Sequence, residues 1–208
     1  MSSRRKLMII LVGALALLVP ANASAGQPDS VDPAIMQPSL NASFGPWDCW
    51  RTGTGIVCDG ARTLAWEGAE TGFICEGRPV YSTGTDERTQ RRFGDEAGLA
   101  LRTIQRVAIR ETLSLSADGP GPSLQGVGQF TERFEYLIPG DLSSRTDTFT
   151  GIDVRVTGAG VGLVIHEVGI KSFDIDDNVL LVHGPHPVLD DFEGSFAKLC
   201  DAFEAMGA

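Results

Sequence analysis

Residues 105–116, QRVAIRETLSLS, and residues 129–138, QFTERFEYLI, carry the pattern that decides the fold. In the first stretch Val107, Ile109, Leu113 and Leu115 are apolar at odd positions, while Arg106, Arg110, Thr112 and Ser114 fill the even ones. In the second, Phe130, Phe134, Tyr136 and Ile138 are apolar at even positions, with Thr131, Arg133 and Glu135 between them. A period of two belongs to a strand with one buried face. The turn-forming run Ala117-Asp118-Gly119-Pro120-Gly121-Pro122 separates the two, so an antiparallel hairpin is expected.

Working outward, residues 147–157 and 161–173 read as a second hairpin around Gly158-Ala159-Gly160. The near-continuous apolar run from Val161 to Ile165 predicts a central strand covered on both faces. Residues 178–182 make a last short strand, and weaker strand signals lie at 55–58, 63–66, 72–75 and 79–85. Near the C-terminus the period changes. Phe192, Phe196, Leu199 and Phe203 form one stripe of an amphipathic helix over about residues 190–206, with Asp190 and Glu193 as its capping box. The expected fold is mainly β, an antiparallel meander forming a barrel or sandwich, with one C-terminal α-helix packed on it.

The N-terminus reads as a targeting segment. Arg4, Arg5 and Lys6 precede an apolar run from Leu7 to Val19, and Ala23-Ser24-Ala25 supplies a peptidase site, so residues 1–25 are expected to be a cleavable signal peptide. The apolar run is shorter than the roughly 20 residues that span a bilayer. Ser3-Arg4-Arg5-Lys6-Leu7-Met8 also has the look of a twin-arginine signal, although the short basic segment and strongly apolar core favour ordinary Sec export. Residues 26–46, with Pro28, Pro33, Pro38 and Pro46, read as an extended or disordered leader. Residues 47–208 then form one β domain. Residues 1–25 hold three of the 17 basic residues and none of the 27 acidic ones, which leaves 14 against 27, a net charge of −13. That balance disfavours nucleic acid and anionic membrane surfaces as partners, and no insertion into a membrane is expected after signal cleavage.

Cys49, Cys58, Cys75 and Cys200 are an even set in a chain expected to be exported, and three pairings are open to them. The turn-rich Arg51-Thr52-Gly53-Thr54-Gly55 between the first two favours Cys49–Cys58, leaving Cys75–Cys200 to tie the helix to the sheet. Zinc sites use closer cysteine pairs, so no metal is expected there.

Tyr136-Leu137-Ile138-Pro139-Gly140-Asp141, Thr157-Gly158-Ala159-Gly160-Val161-Gly162, His166 and Val182-His183-Gly184-Pro185-His186 together resemble small exported proteins of high-GC Gram-positive bacteria. The resemblance covers roughly residues 125–200 and implies export and a compact domain. It implies no activity.

Two carboxylates breach the strand pattern. Glu111 stands at an odd position between Ile109 and Leu113, and Glu132 at an even one between Phe130 and Phe134. A register pairing Leu113 with Phe130 would set them opposite each other, about 4.5–5.5 Å apart at Cβ. Such a pair is the candidate catalytic site, because close carboxylates on an apolar face split their pKa values and can flank a sugar bond. The alternatives are ion pairing with Arg91, Arg92 or Arg155, or a solvated sheet edge. His166, on a face with Val164, Val168 and Ile170, reads as a core histidine. His183 and His186 lack further ligands for a metal. Asp174, Asp176 and Asn178 start like a calcium loop that Val179 and Pro185 break, which leaves a β-turn. Gly158–Gly162 lies between strands and reads as a turn, not a nucleotide site. With no serine-hydrolase, zinc-peptidase or phosphate-loop motif, no cofactor is expected. The leading expectation is an exported domain that binds a small molecule or envelope component without catalysis. The alternatives are a glycosidase-like hydrolase using Glu111 and Glu132, and a structural envelope protein.

Overall fold

The computed structural model describes residues 29–119 and 121–207; the expected signal peptide, residues 1–25, lies outside them. The first predicted hairpin forms from β4 (Ala100–Ser114) and β5 (Ser123–Tyr136), and the second from β6 (Arg145–Gly158) and β7 (Gly162–Asp174). Gly158-Ala159-Gly160 lies at the tight turn of the second hairpin, as its composition requires. The weak early signals join into two long strands. The segments at 55–58, 63–66 and 72–75 all belong to β2 (Gly55–Cys75), and residues 79–85 open β3 (Arg78–Gly94). Short edge strands β1 (Asp48–Thr52) and β8 (Val179–His183) complete an eight-stranded antiparallel meander in the order β1 to β8, whose two ends do not pair with each other.

One face of this sheet is the inner one. It is recognised by the buried row Val80, Leu113, Leu124, Val156 and Ile165, contributed by β3 to β7. Against that row lies α2 (Phe192–Ala205), which follows the single turn α1 (Pro187–Asp190). Leu199 and Phe203 of the predicted stripe are buried, Phe196 is half-buried, and Ala202, outside that stripe, joins them. The helix starts one residue later than its predicted box. Asp191, not Asp190, is the cap, and its side chain accepts from the Gly194 N–H. Phe192, the first member of the stripe, stays exposed.

Both expected disulfides are present, Cys49–Cys58 across the β1–β2 hairpin and Cys75–Cys200 between β2 and α2. They mark an oxidising, extracytoplasmic setting. No helix among the described residues is long and apolar enough to cross a membrane.

Two expectations give way. The described part of the leader is not loose: Met36 is fully buried and Phe44 nearly so. Ser30 bridges to Trp50 on β1, and the Pro38 carbonyl accepts from Arg92 Nη1 at 2.7 Å. Proline content suggested disorder, but Val31, Ile35, Met36 and Leu40 pack irregularly on the Cys49–Cys58 end of the sheet and bury apolar area that outweighs it. Nor is the Val161–Ile165 run covered on both faces, since Leu163 is exposed, although the half-buried Val161 and Val164 pack beside the buried Ile165 against the core.

The disulfides differ in what they constrain. Cys75–Cys200 closes a separation of 125 residues and Cys49–Cys58 one of 9. On the chain-entropy model, removing the first by Cys75→Ala/Cys200→Ala should cost about 5 kcal/mol of unfolding free energy and removing the second about 3 kcal/mol. Urea denaturation of the two double variants measures this order.

Candidate functional site

The structure does not bring Glu111 and Glu132 together. In the β4–β5 ladder Leu113 pairs with Leu124, Glu111 with Gly126, and Glu132 with Gln105, a register six residues away from the one expected. The cause is the stretch Ser123-Leu124-Gln125-Gly126-Val127-Gly128, which lies between the expected turn and the strand expected at 129–138 and forms the first half of β5. Leu124, completely buried beneath α2, sets the register. Six residues along an antiparallel strand span roughly 20 Å. Glycosidase carboxyls stand about 5–9.5 Å apart, so this pair cannot flank one glycosidic bond.

Glu111 finds a different setting. Its cross-strand neighbours are both glycines, Gly84 on β3 and Gly126 on β5. A Cβ on Gly126 would stand 2.6 Å from Glu111 Cγ, and one on Gly84 would stand 2.9 Å from Glu111 Cβ. The two glycines therefore leave the room in which this side chain lies. Trp66 Nε1–H donates to Ser82 Oγ at 2.7 Å, and Ser82 Oγ–H donates to Glu111 Oε2 at 2.6 Å, which fixes the carboxylate. Oε1 accepts from no other described residue.

That carboxylate lines a cavity of about 330 Å³ between α2 and the sheet. Its walls are apolar: Phe73 from β2, Leu113 from β4, Val154, Val156 and Ile165 from β6 and β7, and Phe196 and Leu199 from α2. Phe192 stands exposed at its rim, its ring tilted 47° against Phe73 with 6.0 Å between ring centroids. Two hydroxyls also line it, but Thr71 donates to the Val80 carbonyl and Ser195 to the Pro187 carbonyl. Glu111 Oε1 is thus the one lining side-chain oxygen without a partner among the described residues. An apolar cavity with a single convergent polar group, at the lower end of the 300–1,000 Å³ range, has the form of a small-molecule site. Larger hollows of about 550 and 590 Å³ lie around Ala61, Thr89 and Arg106, lined in part by arginines and, in the second, by Phe93 and Ile104.

Glu132 sits farther along the inner face in a polar file. Gln90 Nε2 donates to Gln105 Oε1 at 3.2 Å, and Gln105 Nε2 donates to Glu132 Oε2. Burial pushes the Glu132 carboxyl above the usual range; Arg88 and Arg145 pull it back, while Asp147 adds to the push. The expected arginine partners were Arg91, Arg92 and Arg155. Instead Arg91 pairs with Asp59, Arg92 holds the leader, and Arg155 is exposed on the outer face.

Sequence patterning missed the most buried carboxylate, Glu167, which is 1 % exposed. Lys171 Nζ donates to its Oε1 at 2.6 Å and also to Asp153, and the Val188 N–H donates to Oε2 at 2.9 Å. His186, also buried, places Nδ1 at 3.7 Å from Oε1. These residues form one polar cluster. It clamps the start of α1 to β7, and so holds Val188 at the cavity wall. Burial works to raise Glu167, but the bonds and charge of Lys171 outweigh it and hold the carboxyl below the usual range. The one available signal was Glu167 four residues before Lys171, a spacing read with helices but here placed on one strand face by the alternation of two.

His166 is not in the core: it lies half-buried on the outer face, opposite Arg155. His183 is exposed on β8 while His186 is buried, so the two imidazoles occupy different environments. Asp174 caps the β7–β8 turn, accepting from the backbone of Asp176 and Asn178, as a turn reading requires. Among the described residues no group of three or more His, Cys, Asp or Glu side chains is placed to hold a metal ion. In comparisons with protein-family models, curated proteins and solved structures, nothing matches this chain.

The two buried carboxylates should respond oppositely to pH. A raised Glu132 favours the folded state at low pH and disfavours it once ionised, so Glu132→Gln should raise the melting temperature at pH 7 and lose that advantage by about pH 4. A lowered Glu167 stabilises above the ordinary carboxylate pKa and loses its contribution as pH falls through the folded value. Glu167→Gln should destabilise by about 3 kcal/mol at pH 7 and flatten the acid arm of the stability curve. Thermal melts of both variants from pH 3 to 8 check the signs.

Proposed function

We propose that this chain is an exported binding protein that holds a small amphiphile in the cavity between α2 and the sheet, without catalysing its conversion. The ligand has an apolar body and one hydrogen-bond-donating head, such as a primary amine. The observation that carries this reading is Glu111, lodged between two glycines with Oε1 free in an otherwise apolar hollow. This carboxylate is the single charge on otherwise largely apolar walls, and a charged donor meets it best. Export is supported by the segment 1–25 and by both disulfides.

Octylamine, octanol and octanoate share one tail and differ only in the head, which makes them suitable probes. Calorimetry should rank them in that order of affinity. Glu111→Gln should weaken octylamine about tenfold and leave octanol nearly unchanged, while Val154→Trp should fill the cavity and abolish binding of all three. Equal affinities for the three heads, or binding that survives Val154→Trp, would overturn this reading.

A further inference from the structure

The outer face of the sheet, opposite the cavity, carries charge of the sign that the chain as a whole lacks. Val107 and Leu113 point inward, so the even residues of β4 point outward, and Arg102, Arg106 and Arg110 stand in one file on this central strand. Each is four residues from the next, about 13 Å at the rise of a strand. Arg133 lies beside the file on β5, and Arg110 and Arg155 face Val127 from either side. With Arg91 on β3, these are six of the 14 basic residues that follow residue 25. Among the described residues, the acids at outward positions of β3 to β6 are Glu87 and Glu135 alone. The net charge of −13 therefore conceals a basic face.

Inward and outward arginines are used differently. Inward, Arg62 and Arg88 reach Asp86, and Arg145 reaches Asp147. Outward, Arg91 binds Asp59 and Arg133 binds Glu135, but Arg102, Arg106, Arg110 and Arg155 form no ion pair among the described residues. The hollows of about 590 and 550 Å³ follow one another along the file and share Thr89 and Arg106. Thr63, Thr89, Thr131 and Thr150 line the smaller one, and their hydroxyls bond to no other described residue.

We propose that this open trough binds a linear acidic polysaccharide, whose carboxylates meet the arginine file and whose hydroxyls meet the threonines. Guanidinium groups take carboxylates in paired hydrogen bonds, and threonine hydroxyls donate and accept as sugar hydroxyls do. The wide spacing of the arginines selects against a nucleic acid, whose strand carries a phosphate about every 3.4 Å. Base stacking lacks a platform as well. Phe93, the outward aromatic ring of the trough, is already covered by Arg102, whose Cζ stands 4.3 Å from its centroid.

Calorimetry of the protein with hyaluronan oligosaccharides, in which every second sugar carries a carboxylate, tests this. Binding is expected at low salt and should weaken as salt screens the arginines. Arg106→Gln and Arg110→Gln, both at exposed positions, should each weaken it about fivefold. Glu87→Gln should strengthen it about twofold, because Glu87 pairs with Ala108 and so lies diagonal to both arginines. A gain in affinity does not come from a damaged fold, so Glu87→Gln keeps the test sound even where an arginine variant folds poorly. Absence of binding at low salt, equal binding of uncharged dextran, or indifference to all three substitutions overturns the proposal. So does tighter binding of single-stranded oligothymidylate or of phosphatidylglycerol vesicles, which would make a nucleic acid or a lipid surface the occupant.

Discussion

Everything that positions the cavity depends on one contact, the burial of Leu199, Ala202 and Phe203 of α2 against Val80, Leu113, Leu124, Val156 and Ile165. An apolar row crossing five strands can meet a helix in only one register per strand pair, because a slip of one residue turns every side chain to the opposite face. Leu124 under the helix therefore fixes the β4–β5 ladder, and through it sets Glu111 against Gly126 and Glu132 against Gln105. Cys75–Cys200 holds the helix to that row, and the Glu167–Lys171 clamp holds the segment that leads into it.

Beyond the helix the inner face turns polar. Asp86, Gln90, Arg92, Thr103 and Gln105 are buried there, an arrangement that an apolar core would make less costly. Hydrogen bonds offset much of the cost, running from Gln90 through Gln105 to Glu132 and from Arg88 to Asp86. The raised Glu132 and lowered Glu167 show the two results of burying a carboxyl. Where the cations stand off, desolvation wins; where an ammonium and a backbone N–H bond it directly, the charge is kept.

The meander also explains why the sheet ends as it does. A sheet built only from neighbouring hairpins has two free edges unless the last strand reaches the first, and here it does not. The segment Asp29 to Val31 covers one edge because the chain arrives from that side; the chain leaves β8 toward α1 and covers nothing.

Alternation at 105–116 and 129–138, turn residues and the 192–203 stripe were enough to establish the fold class, the order of the later elements and the helix, while cysteine spacing favoured, among three open pairings, the one that forms. These are short-range properties, decided by whether neighbouring side chains lie on one face. Glu111 and Glu132 were legible as breaches of the pattern, yet their partners were not, and Glu167 gave no breach at all on a strand face where glycine and lysine already interrupt the apolar run. Strand register, the packing of residues 29–46, the joining of three weak segments into β2, and the enclosure of a cavity around Glu111 were decided only in three dimensions. Each of them balances apolar burial against local signals such as Gly126, Gly128 and the leader prolines, and that balance is struck between residues far apart in the chain.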